Sequence, residues 1–141
     1  VPDLEDITTM PALVADKNAD LGSLSWMTTP LMAGVLKRTP LVSGYPVFLW
    51  VGTYREGELG GYPARTTNQI SKTLGAGSEH GLIFGNWTDL LVGMWGNDLE
   101  IVVDVVTKAA RGQILITSYS MGDTAVRRGE SFVKGTGATL S

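Results

Sequence analysis

Cysteine is absent from the 141 residues, which excludes a disulfide framework, a thiolate metal site and a cysteine nucleophile, and leaves the redox compartment unread. Histidine is nearly as scarce. His80 stands alone, so no metal site can be built from histidines, and no cofactor is expected. Long apolar runs are missing as well: no stretch free of charged residues reaches the length of a membrane span, and no basic-then-apolar leader opens the chain. The expectation is a soluble protein with no membrane partner. Charge of one sign does not accumulate either. The formal net charge is -3 and no run of like charges offers a footprint for a phosphate backbone, so sequence-specific nucleic-acid binding finds no support.

What is present is an apolar fraction of 43% beside 18% charged residues, enough to build a core and unlike a disordered segment. The length and the lack of an internal repeat suggest one domain. Val1 rather than Met stands first, and the chain is read as a fragment of something longer.

Leu4, Ile7, Met10 and Val14 recur at helical spacing behind the acidic first turn of Asp3, Glu5 and Asp6, which predicts a helix that Pro11 kinks or divides. Residues 23–27 alternate as a short strand. Thr29-Pro30 starts a second helix ending near Arg38. The β-branched and aromatic run 45–51 reads as a buried strand, and 53–81, dense in glycine, as a long loop with short extended pieces. Strand signals then crowd residues 82–84, 90–95, 99–106 and 113–119, with 123–128 as one more short strand, separated by turns at Asn97-Asp98 and Arg111-Gly112. The fold class is therefore α+β, with mixed, mainly antiparallel sheets: about 1–40 helical, 41–134 sheet-rich, and 135–141 a disordered tail.

A search for catalytic constellations finds weak ones. Ser118-Tyr-Ser120-Met-Gly122 approaches a nucleophile elbow but has serine where the first glycine is needed, and His80 precedes it where the elbow fold places its histidine last. A hydrolase using Ser120 and His80 is the enzymatic alternative. The even spacing of Asp98, Glu100 and Asp104 puts them on one face of a strand, where carboxylates could do acid–base work or simply be solvated. Gly75-x-Gly77-x-x-x-Gly81 is one residue too long for a dinucleotide fingerprint. Asn86-Trp87-Thr88 fits a glycosylation sequon without a secretion signal. Lys37-Arg38 and Arg127-Arg128 are solvated pairs or intersubunit salt-bridge partners. Trp26, Trp50, Trp87 and Trp95 belong in a core, each indole N–H with a partner, or at an interface.

Residues 81–107 carry Phe84-Gly85-Asn86-Trp87, then Trp95-Gly96, then Asp104. This order closely resembles the signature region of the tailed-phage major capsid family, the Hong Kong 97 type. The likeness extends downstream through Gly112-Gln113 and through Asp123, Arg127 and Phe132. Upstream it takes in Trp26, Gly44 with Pro46, and the stretch ending in Asn68-Gln69-Ile70. Val105 stands where the family usually has proline, and Arg128-Gly129 where His-Pro is common.

The resemblance implies a non-enzymatic structural subunit of an icosahedral phage or prophage head. Hexamers and pentamers of it would enclose DNA, in a shell assembled in the bacterial host cytoplasm. It implies other copies of the chain as partners, with portal, scaffold or maturation protease as further ones. It also implies an axial domain plus the returning strands of a peripheral domain, with the first helix at their junction. An arm, an extended loop and a spine helix precede this stretch in the family, so the chain alone is expected to remain monomeric or form small rings. An encapsulin-like compartment shell, which shares the fold, is the non-viral alternative.

Overall fold

Asp3 opens the first helix with a reciprocal cap. Its carboxylate accepts from the Asp6 N–H at 3.0 Å while the Asp6 carboxylate accepts from the Asp3 N–H at 3.2 Å. The helix, α1 (Leu4–Asp16), is not divided: it runs unbroken through Pro11. An interior proline costs about 3 kcal/mol. Burial of Ile7, Met10 and Val14 on one face, at roughly 1.5–3 kcal/mol per side chain, outweighs it. The second helix, α2 (Pro30–Leu36), starts as its sequence signals, with the Thr29 hydroxyl accepting from the Met32 N–H at 3.2 Å, and buries Met32, Ala33, Val35 and Leu36.

This computed structural model describes residues 2–42, 44–75 and 77–140, the side chains of Asn97 and Asp98 excepted. In chain order the strands are β1 (Leu24–Thr28), β2 (Trp50–Gly52), β3 (Glu56–Leu59), β4 (Tyr62–Thr66), β5 (Leu82–Asn86), β6 (Leu90–Asp104), β7 (Leu115–Val126) and β8 (Phe132–Gly135). Six of them form one mixed sheet in the order β2-β3-β4-β1-β5-β8, in which β1–β4 is the parallel pair and the other neighbours are antiparallel. The architecture is the expected α+β one. Both helices and this sheet make one compact unit; Leu90–Arg127, holding β6 and β7, makes the other.

The core of the sheet unit is centred on β1. Trp26 pairs across the ladder with Phe84 on one side and with the small Ala64 on the other. The Trp26 and Phe84 rings lie 4.7 Å apart, and Tyr62 meets Phe84 edge-on at 5.1 Å. α1 packs on β5 and β8.

Several elements differ from the sequence reading. The run 45–51 is not a buried strand: only its end enters β2, and Tyr45 is 70% exposed while Leu49 and Trp50 alone are buried. Pro46 has no N–H to donate, and bonds from Leu41 N–H to Val47 O and from Tyr45 N–H to Val42 O close the segment on itself. The glycine-dense stretch is more ordered than a loop, since β3 and β4 form a hairpin there. Its turn, Gly60-Gly61, has φ of 58° and 84°, positive at both positions as a two-residue hairpin turn requires. The segments read as separate strands at 90–95 and 99–106 are one strand, as are most of 113–119 and 123–128. Residues 136–140, expected to be loose, lie against the sheet unit. Ala138 is buried and its carbonyl accepts from the His80 N–H at 2.7 Å, Gly137 N–H donates to Glu79 at 2.8 Å, and Arg38 donates to the Leu140 carbonyl at 3.0 Å. Small polar residues conceal such backbone anchoring because none of it is carried by their side chains.

Candidate assembly surface

The unit formed by β6 and β7 is a long antiparallel hairpin whose connection holds one turn of 3-10 helix at Ala109–Arg111. Its register begins at Leu90↔Val126 and reaches Trp95↔Met121, then resumes at Glu100↔Tyr119 and ends at Asp104↔Leu115. Residues 96–99 therefore oppose the single Ser120, and the odd number of extra residues reverses which parity of β6 faces which side. Gly96, with φ 80°, turns the chain within this bulge.

Direct pairs share a face, so the register sorts the side chains. One face carries Val92, Met94, Ile101, Val103, Ile116 and Val126 among serines, Thr124 and Gly122, with no charge. The other carries Leu91, Trp95, Val102, Tyr119 and Met121 together with Glu100, Asp104 and Asp123. The placement of Glu100 and Asp104 on one face agrees with their even spacing; the Asp98 side chain lies outside the described residues. Neither face is covered. Val92 is 67% exposed and Trp95 58% exposed, and every residue of β7 is exposed. A two-stranded ribbon is marginal in water and patches of this kind mark association surfaces.

Asp104 secures the far end of the hairpin. Its carboxylate accepts from the Thr107 hydroxyl and N–H and from the Val106 N–H, and these bonds hold its carboxyl below the usual carboxylate range. Gly112, at φ 66°, turns the chain back toward β7. Across the ladder a hydrogen bond to Glu100 pushes the Tyr119 phenol up.

The other residues singled out by resemblance fall into three places. Trp26, Phe84, Gly85, Trp87 and Phe132 build the sheet unit, where Trp87 and Phe132 meet edge-on at 5.4 Å and a side chain on Gly85 would strike Phe132. Gly44, Pro46 and Asn68 sit on exposed connections. Asp123 and Arg127 belong to the hairpin unit. Of the tryptophans, Trp50 donates to the Thr53 carbonyl and Trp87 to the Ser25 carbonyl, but the buried Trp26 indole N–H has no partner among the described residues.

The members of the hydrolase candidate belong to different units. His80 is buried, and its Nδ1 lies 2.8 Å from the Thr29 hydroxyl that caps α2. His80 is in the sheet unit, whereas Ser118 and Ser120 are in the hairpin. Gly75 and Gly77 are turn residues with positive φ. Asn86 is buried, donating to the Leu21 carbonyl and accepting from Thr88, so the sequon presents no exposed amide. Lys37 reaches the Gly52 carbonyl and Tyr54 ring, and Arg128 the Lys17 carbonyl and Glu130. No cluster of metal-ligating side chains and no helix long and apolar enough to cross a membrane occurs among the described residues.

What the sequence reading missed was the hairpin's lack of cover. The composition of β6 and β7, with apolar side chains on both faces, reads as buried strand and gives no sign of it.

Residues 2–137 match the sequence model of the phage capsid family. A curated relative, the major capsid protein of Halomonas phage phiHAP-1, is 26% identical over 128 residues, covering 91% of this chain. The chain spans 19% of that relative's length.

Proposed function

Because the chain belongs to the phage capsid family, we propose that it is part of a structural subunit of an icosahedral phage or prophage head. The observation that carries this reading is the family match across residues 2–137, which includes both the sheet unit and the hairpin. In the full-length protein, copies would associate as hexamers and pentamers in the host cytoplasm and enclose DNA, with portal, scaffold or maturation protease as further partners. The sheet unit would serve as axial domain and the hairpin as returning strands of the peripheral domain. The signature residues would act structurally: Trp26, Phe84, Gly85, Trp87 and Phe132 by packing, and Trp95, Gly96, Asp104, Gly112, Asp123 and Arg127 by shaping the hairpin. Apolar side chains left uncovered on both hairpin faces support an assembling role.

The test is expression of the full-length gene product, followed by electron microscopy and sedimentation. Closed shells that protect DNA when the packaging genes are present are expected. Shells that enclose protein cargo and no DNA would favour the compartment alternative, and a monodisperse soluble monomer would overturn both. The variant His80→Ala/Ser120→Ala addresses the hydrolase alternative: loss of a measured hydrolytic activity with shells intact would restore an enzymatic role.

A further inference from the structure

Charge in the hairpin is sorted by position. The strands β6 and β7 carry Asp98, Glu100, Asp104 and Asp123 without a single base, and the connecting residues 105–114 carry Lys108 and Arg111 without a single acid. Glu100 and Asp123 are exposed on the face that also presents Trp95, Met121 and Leu91, each about half exposed or more. Lys108 and Arg111 are exposed too, and neither forms an ion pair among the described residues. Asp104, beside the tip, is already engaged by Val106 and Thr107. The nearest base-free acidic stretch and the unpaired basic tip thus lie at different places along one ribbon.

An aromatic and methionine-bearing surface with charge of one sign has the composition of a protein interface. Pairing with its own two-fold image would gather the carboxylates of both copies in one contact with no base among them, which disfavours it. A head-to-shaft contact avoids this: the tip of one copy supplies the opposite charge. Such a contact joins different surfaces of two copies, which is the kind that closes rings.

We propose that the acidic face of one hairpin, at Glu100, Asp123 and Trp95, receives the Lys108–Arg111 tip of a second copy's hairpin. This rests on the shell reading and names the contact that reading leaves open. One exposed ion pair contributes little, and the effect comes from its repetition at every such contact together with burial of Trp95 and Met121.

The experiment uses the full-length chain in three charge-reversed forms: Lys108→Glu/Arg111→Glu, Glu100→Lys/Asp123→Lys, and all four together. Far-UV circular dichroism checks that each folds. At low ionic strength either reversal alone is expected to lower the assembled fraction at least ~tenfold and the combined variant to recover most of it, while added salt weakens wild-type assembly and narrows its gap to the single reversals. A tip reversal that assembles like wild type overturns the proposal. So does a folded combined variant that shows no recovery. Absence of shells from the wild type counts against the shell reading alone; sedimentation of the same variants as small oligomers then decides the tip-to-shaft contact by the same pattern of loss and recovery.

Discussion

Gly85→Ala should weaken the sheet unit through one strand pair. Gly85 pairs with Phe132 across β5 and β8, and an added Cβ would stand 2.3 Å from Phe132 Cδ1 and 2.7 Å from the Ser131 carbonyl oxygen. Ordinary contact is about 3.5–4.0 Å, so β8 must retreat by roughly 1.2–1.7 Å. The ring cannot simply swing aside, being held edge-on against Trp87, and Ser131 is fully buried with its hydroxyl donated to Asp89. Overpacking of this kind costs about 1–3 kcal/mol, a large share of a domain's margin of about 5–15 kcal/mol. The assay is urea denaturation of the chain followed by tryptophan fluorescence in a Trp95→Phe background, which leaves Trp26, Trp50 and Trp87 to report on the sheet unit. Adding Phe132→Ala to Gly85→Ala should recover part of the loss relative to additivity, by about 0.5 kcal/mol or more. A wild-type urea midpoint for Gly85→Ala, or strictly additive behaviour of the pair, would refute the steric argument.

Phe84→Ala, which empties the space between Trp26 and Tyr62, should cost about 3–5 kcal/mol in the same assay, and a loss below about 1 kcal/mol would mean that the ring cluster does not hold the core. Asp3→Ala removes one half of the α1 capping box and should cost about 1 kcal/mol, with faster hydrogen exchange confined to the first turn; unchanged exchange there would count against the cap. Asp104 should titrate below the ordinary carboxylate value near 3.9, followed by carbon-detected NMR. Its folded value is the lower one, so the linked stability is present above the unfolded value and is lost as pH falls through the folded value. Asp104→Asn should abolish that acid sensitivity in the 105–107 loop, and an Asp104 midpoint at or above the ordinary value would contradict the hydrogen-bonding account.

Sequence patterns were legible wherever a local signal decided the outcome. Thr29-Pro30 marks the start of α2 because a hydroxyl cap and a missing N–H suit the same two positions. The periodicity of Ile7, Met10 and Val14 located α1, and the helix is not divided at Pro11, since tertiary burial there outweighs a local penalty. The hairpin was harder to see. Asn97-Asp98 has the composition of a turn, and the reversal of parity across the bulge makes β6 look like two strands; continuity comes from β7, whose own alternation is unbroken. The run 45–51 misled for the opposite reason, because β-branched and aromatic composition describes what could be buried and not what has a partner to bury it. His80 could not be placed from sequence, since its burial depends on residues more than fifty positions away at Thr29 and Ala138.

β5 and β8 are neighbours in the sheet, and the entire hairpin is the detour the chain makes between them. A detour of this kind is an independent variable for evolution. Adding or deleting one residue on each strand, opposite each other, changes the reach of the ribbon while every pairing in the six-stranded sheet stays as it is, and two on each keeps both faces in phase. The span of the ribbon can therefore be edited on its own, with each pair of the six-stranded sheet left in register.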